Sequence, residues 1–109
     1  MKLNLPERIS LMGMLPNESD YATLRMAWIM RQNLGFTSDE IKEFDIKSEA
    51  STSRITWNDK GGAYVRDIPF DDAQTTLIKQ ILIDLNAKKQ LHTQDFSLYE
   101  KFIVEYRAG

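Results

Sequence analysis

Apolar and polar residues alternate along this chain in two rhythms, one near 3.6 residues and one near two. The first opens it. Ile9, Met12 and the Met14–Leu15 pair recur at helical spacing, with Pro6 suited to a first helical turn because its missing N–H is unpaired there anyway. Leu15-Pro16-Asn17 ends that helix, since a residue before proline avoids the α region. Asn17, Ser19 or Asp20 is placed to cap a second helix from about Tyr21 to Leu34, with Gly35 as its stop. Thr37 and Glu40, three apart, form a capping box for a short third helix ending near Glu43 or Phe44.

The rhythm then shortens. Arg54-Ile55-Thr56-Trp57 and Ala63-Tyr64-Val65-Arg66-Asp67-Ile68 read as strands. Asn58 to Gly62 between them reads as a hairpin turn whose glycines supply positive φ. Asp45–Glu49 is a candidate third strand and Ser48–Ser53 a candidate loop. Helical spacing returns after Asp71-Asp72-Ala73-Gln74, an acidic start for a long helix to Lys88 with Leu77, Ile78, Ile81, Leu82 and Leu85 in one stripe. Leu77, Ile81 and Leu85 are its expected core residues. Thr93 is the expected cap of a last helix with Phe96, Tyr99, Phe102, Ile103 and Tyr106 on one broad face. The expectation is one α+β domain over residues 1–109: three N-terminal helices, a two- or three-stranded antiparallel β-meander packed on the long helix, and two C-terminal helices.

Composition narrows the function more by exclusion than by indication. The chain has 109 residues, 42% apolar and 28% charged, with net charge −2, all ordinary for a globular domain. It has no cysteine, so disulfides, thiolate zinc sites and thiol nucleophiles are excluded, and a cytoplasmic setting is expected. The opening Met1-Lys2-Leu3-Asn4-Leu5-Pro6-Glu7-Arg8 does not read as a signal peptide. The longest apolar run, Met26 to Met30, falls far short of the ~20 residues of a membrane span.

Candidate chemistry is sparse. His92, the single histidine, stands beside Thr93 in a loop. Asp67, Asp71 and Asp72 cluster near a strand end, and Glu40, Glu43 and Asp45 around the third helix; acids in such places serve most often as caps. A small metal-dependent hydrolase built on His92 or the three aspartates is one alternative reading. A winged-helix regulator with Arg54, Lys60 and Arg66 along the wing is another. Residues 37–45, which would hold its recognition helix, carry four acids against Lys42 alone and would repel phosphate. Lys60-Gly61-Gly62 lacks the glycine spacing of a phosphate loop. No catalytic residue, cofactor, metal or nucleic-acid partner is therefore expected.

The run Met26-Ala27-Trp28-Ile29-Met30 points elsewhere. It is apolar on every side, where a surface helix shows one stripe. Methionine and aromatic residues are enriched where proteins meet partners. Arg25, Met26, Ile29, Met30 and Arg31 are accordingly the expected protein-binding residues, with the methionines as an exposed patch, the arginines as its rim, and Trp28 turned into the core with Tyr21 and Leu24. The partner is another protein or a second copy of the chain.

Several anchors spread along the chain carry a resemblance. They are Ile9–Leu15 before Pro16, Leu34-Gly35-Phe36 before the capping box, Ile55-Thr56-Trp57-Asn58, Lys89-Gln90-Leu91, and Ser97-Leu98-Tyr99-Glu100-Lys101-Phe102. Together they resemble a group of small uncharacterised proteins of bacteriophages and prophages, in which the second helix is more polar. None is a catalytic signature. The resemblance implies a non-enzymatic accessory protein that binds a host or phage protein in the host cytoplasm, and it transfers no site residue.

Overall fold

The computed structural model describes residues 1–49 and 54–105. Lys2–Asn4 form strand β1, and the chain turns at once into helix α1, Leu5–Met14. Asn4 makes that turn. Its Oδ1 accepts the Glu7 N–H at 2.8 Å while the Glu7 carboxylate accepts the Asn4 N–H at 3.0 Å, a reciprocal cap with Pro6 in the first turn. Helix α2, Tyr21–Leu34, follows Asp20 at its cap position, and α3, Ser38–Glu43, opens on the expected Thr37–Glu40 box. Gly35 closes α2 without a positive φ; a Cβ there would lie 3.3 Å from the Arg31 carbonyl.

The β structure differs from the expected meander. Strand β2, Lys47–Glu49, pairs antiparallel with β3, Arg54–Thr56, with Ser48 opposite Ile55. Strand β4, Val65–Asp67, pairs with β1 instead, with Leu3 opposite Arg66. The fold is α+β with two separate two-stranded antiparallel sheets among the described residues. The candidate loop Ser48–Ser53 falls partly in β2, and residues 50–53 lie outside the described residues.

Between β3 and β4 the expected hairpin turn is a helical turn, α4, Asp59–Gly62. Asn58 Oδ1 accepts the Gly61 N–H at 3.1 Å, and Asn58 donates its own N–H to the Phe44 carbonyl at 2.8 Å. Gly61 serves close packing here, not a left-handed backbone. A Cβ would stand 3.0 Å from Trp57 Cδ1 and 3.1 Å from Phe44 Cβ.

Helix α5, Asp72–Ala87, opens on a reciprocal Asp71–Gln74 cap. It ends through Lys89, which takes the left-handed conformation at φ 57°, while the Gln90 N–H reaches back to the Leu85 carbonyl at 2.8 Å. A 3-10 turn, Thr93–Asp95, runs into α6, Phe96–Tyr99, and then into a π-helical stretch, Glu100–Val104. His92, not Thr93, is the cap residue, and its N–H donates to Asp95 Oδ2 at 3.1 Å. No helix of the described residues is long and apolar enough to cross a membrane.

One contiguous core joins these elements. It contains Leu11 of α1, Met30 and Leu34 of α2, Ile78 and Leu82 of α5, and Phe102 of the π-helical stretch, all fully buried. Of the expected α5 core, Leu77 and Ile81 pack on it only in part, Leu85 is also half-buried, and the buried line runs through Ile78 and Leu82. In the last segment Phe96 is exposed while Leu98 and Phe102 are buried; Tyr106 lies outside the described residues.

Two buried carboxylates, Glu40 and Glu7, hold ion pairs within this packing. Arg8 is fully buried and clamps Glu40 through both guanidinium ends, at 2.9 and 3.1 Å. It also donates to the Leu34 and Gly35 carbonyls at 3.0 and 2.7 Å and lies 4.9 Å from the Phe36 ring centroid. One arginine thereby fixes the end of α2 against the start of α3. Burial alone would raise the Glu40 pKa; hydrogen bonds and charge from Arg8, with the Thr37 N–H and the Tyr64 hydroxyl, outweigh it and hold the carboxyl at about 2. Glu7, also buried, accepts from Lys101 Nζ at 2.7 Å. Its desolvation is likewise outweighed, and its pKa is lowered.

Candidate functional site

Helix α2 presents two opposed faces. Ala27, Met30 and Leu34, at spacings of three and four, are fully buried. Tyr21, Arg25, Trp28 and Gln32, at spacings of four, three and four, all face solvent. Tyr21 is 76% exposed, Trp28 62% and Ile29 37%. The expected arrangement is therefore reversed. Met30 is core, Met26 packs partly against it, and Trp28 and Tyr21 stand outside. The run 26–30 misleads because it is too short to show phase. Extended through Thr23 and Leu34, the spacing of the inward residues is regular and puts Trp28 on the far side.

The two arginines also part. Arg25 is exposed, between Tyr21 and Trp28 on the same face. Arg31 is no rim residue. Its Nη2 donates to the Leu15 and Pro16 carbonyls at 3.0 and 3.2 Å and to Asn17 Oδ1 at 3.1 Å, tying α2 to the end of α1. Of the five expected residues, the structure leaves Arg25 and Ile29 outward and puts Met26, Met30 and Arg31 to structural use. The outward face adds Tyr21 and Trp28, which sequence reasoning had turned inward.

A second feature had no counterpart in the sequence reading. An open cleft of about 680 Å³ lies between α1, the end of α5 and the 3-10 turn. Ile9, Met14 and Leu85 form its apolar part, and Ser10 and Gly13, one helical turn apart, its small-residue part. Gln90, His92, Gln94 and Asp95 bring polar groups to it. The available signal was Gly13. Glycine inside a helix costs about 1 kcal/mol relative to alanine. Here a Cβ would meet nothing within 4 Å, so packing within the chain does not require it.

No family model, curated protein or solved structure matches the chain.

The other sequence candidates scatter. Asp71 is a helix cap, Asp72 lies exposed in the first turn of α5, and Asp67 accepts from the Met1 ammonium at 2.8 Å. Among the described residues no three His, Asp or Glu side chains are grouped to hold a metal. Glu40 is sealed beneath Arg8, away from exposed Glu43 and Asp45. Arg66, assigned to a wing, binds Glu40 at 3.2 Å and the Asn33 carbonyl at 3.0 Å. Lys60 is exposed on α4, and the side chain of Arg54 lies outside the described set.

Proposed function

We propose that this chain is a non-catalytic binding protein that docks another protein on the outward face of α2, and that the partner this face fits is a second copy of itself. The observation that carries the reading is the exposure of Tyr21, Arg25, Trp28 and Ile29 together on one side of a helix whose other side is core. Large exposed aromatics around an arginine match the composition of protein interfaces more than that of inert surface.

The face is self-complementary. Two α2 helices set antiparallel about a two-fold axis midway between Met26 and Ala27 bring Arg25 of each copy opposite Trp28 of the other, and Tyr21 opposite Gln32. Each Arg–Trp contact is a cation–π pair worth about 0.5–2 kcal/mol. Such reciprocity is what a two-fold interface requires. A 14-residue helix is about 21 Å long. Its face buries less than the roughly 800 Å² per partner of a standard interface, so weak, reversible association is expected. The resemblance to small bacteriophage proteins supplies the setting, an accessory protein acting in the host cytoplasm.

Sedimentation velocity over a wide concentration range tests the reading. The native mass should rise with concentration, and Trp28→Glu should stay at monomer mass with its urea midpoint unchanged. A native protein that is monomeric throughout removes the second copy as partner. A Trp28→Glu chain that unfolds removes the face, because the ring would then be structural.

A further inference from the structure

Four charged side chains are buried among the described residues: Glu7, Arg8, Glu40 and Asp95. Three have a countercharge. Glu7 has Lys101, and Arg8 and Glu40 have each other, with Arg66 beside them. Asp95 is 4% exposed and has no ion-pair partner among the described residues. Aspartate is rarely buried without one.

Its cap role accounts for half of it. Oδ2 accepts the His92 N–H at 3.1 Å, which fastens the start of the last helical segment. Oδ1 accepts no hydrogen bond from a described residue. Asp95 lines the cleft, and the one hydrogen bond from a described residue to its carboxylate leaves Oδ1 as the acceptor for a ligand there. A buried carboxylate without a countercharge on the wall of a cavity is suited to a cationic ligand.

We propose that this cleft is a binding site for a small organic amine with a compact apolar body, held as its ammonium against Asp95. The site is distinct from the α2 face. An ammonium has three N–H donors, and Asp95, Gln94 and Ser10 among the lining residues carry oxygen acceptors for them. The apolar body lies on Ile9, Met14 and Leu85. Gly13 then has a purpose. It gives up helix stability that alanine would supply, and it leaves open the space in which the body of the ligand sits. The volume of about 680 Å³ falls within the range of small-molecule sites.

The test compares benzylamine, a cation at neutral pH, with benzyl alcohol, its neutral counterpart of the same shape. Each is titrated into the 15N-labelled protein while amide shifts are followed. Benzylamine should move the Ser10, Gly13 and Gln94 amides to saturation, and benzyl alcohol should bind at least about tenfold more weakly. Asp95→Asn keeps an oxygen for the His92 N–H and should lose the preference for the cation. Gly13→Leu fills the cleft, leaves Asp95 in place and should abolish binding of both probes. Equal binding of amine and alcohol, an unchanged amine affinity in a folded Asp95→Asn variant, or no saturable shift with benzylamine, n-butylamine or putrescine would overturn the assignment.

Discussion

Replacing Glu40 by glutamine is the most searching perturbation of this fold, because one carboxylate serves a helix cap and two arginines at once. Glutamine keeps the shape and an oxygen for the Thr37 N–H. It removes the charge that balances Arg8, whose side chain is fully buried. Leaving a buried charge uncompensated costs about 3–5 kcal/mol, a large share of the 5–15 kcal/mol that typically separates folded from unfolded chains. The pH dependence supplies an independent magnitude. Glu40 falls from an ordinary 4.5 to about 2 in the folded chain, which by linkage is worth about 3 kcal/mol. Since the folded pKa is the lower one, this stability is fully present above 4.5 and is lost as the pH falls toward 2. By pH 3 about 2 kcal/mol of it is gone in the native protein, whereas glutamine has none to lose. Urea unfolding of both proteins at pH 7 and pH 3 measures the gap directly, and protonation of the other carboxylates largely cancels in the difference. The gap should narrow by about 2 kcal/mol on acidification. A gap of equal size at both pH values would refute the reasoning, since Glu40 would then not be held as the anion by its arginines.

Three other outcomes follow from the packing. Leu82→Ala, at a fully buried site, should cost about 2–5 kcal/mol by urea denaturation, and Ile81→Ala, half-buried, clearly less. Ile83→Ala, on the exposed side of α5, should change stability by no more than about 0.5 kcal/mol. Lys89→Gly should stabilise the chain by about 0.5–1 kcal/mol, because a left-handed penalty of about 1–2 kcal/mol exceeds the added backbone entropy of glycine, and the thermal midpoint should rise.

Helix α3 and the start of α5 were legible because their signals are local. Thr37 with Glu40 and Asp71 with Gln74 sit three residues apart, and that spacing alone closes the cap. The strands were not legible in the same way. Each is three residues long, too short for alternation to show, and β1 finds its partner at the far end of the β region. Asn4-Leu5-Pro6-Glu7 carries a capping box of its own, which a proline in the first turn does not by itself reveal. Asn58 and two glycines suggest a tight turn from composition. Only the closeness of Trp57, Phe44 and Leu5 around Gly61 explains why glycine is needed there. In the last segment the π-helical stretch widens the pitch after Tyr99, and a stripe drawn at regular spacing from Phe96 no longer lies on one face.

The two candidate sites failed to show in the sequence for opposite reasons. On α2 the expected residues lie on the right segment in the wrong helical phase. An apolar run of five residues spans more than a full turn, so composition marks the segment but only the flanking residues fix the inward side. Thr23, Ala27, Met30 and Leu34 do so, and they leave Tyr21 and Trp28 outside. At the cleft the phase is irrelevant, because Asp95 comes from the last segment, Gly13 from the first helix and Leu85 from the fifth. Each taken singly has an ordinary explanation: a cap, a weak helix former, a stripe residue. Their juxtaposition changes the reading of Asp95 in particular. A cap on an open surface keeps its charge in water at little cost, but a carboxylate only 4% exposed, on a cleft that Ile9, Met14 and Leu85 also line, gives up hydration that one backbone N–H replaces only in part. Either an external cation restores that loss, or the folded chain bears it unrelieved. Linkage separates the two: if a cation restores it, saturating benzylamine should raise the urea midpoint of the native protein and leave that of a folded Asp95→Asn variant unmoved, whereas a midpoint unmoved by amine in both would show that the chain bears the loss alone.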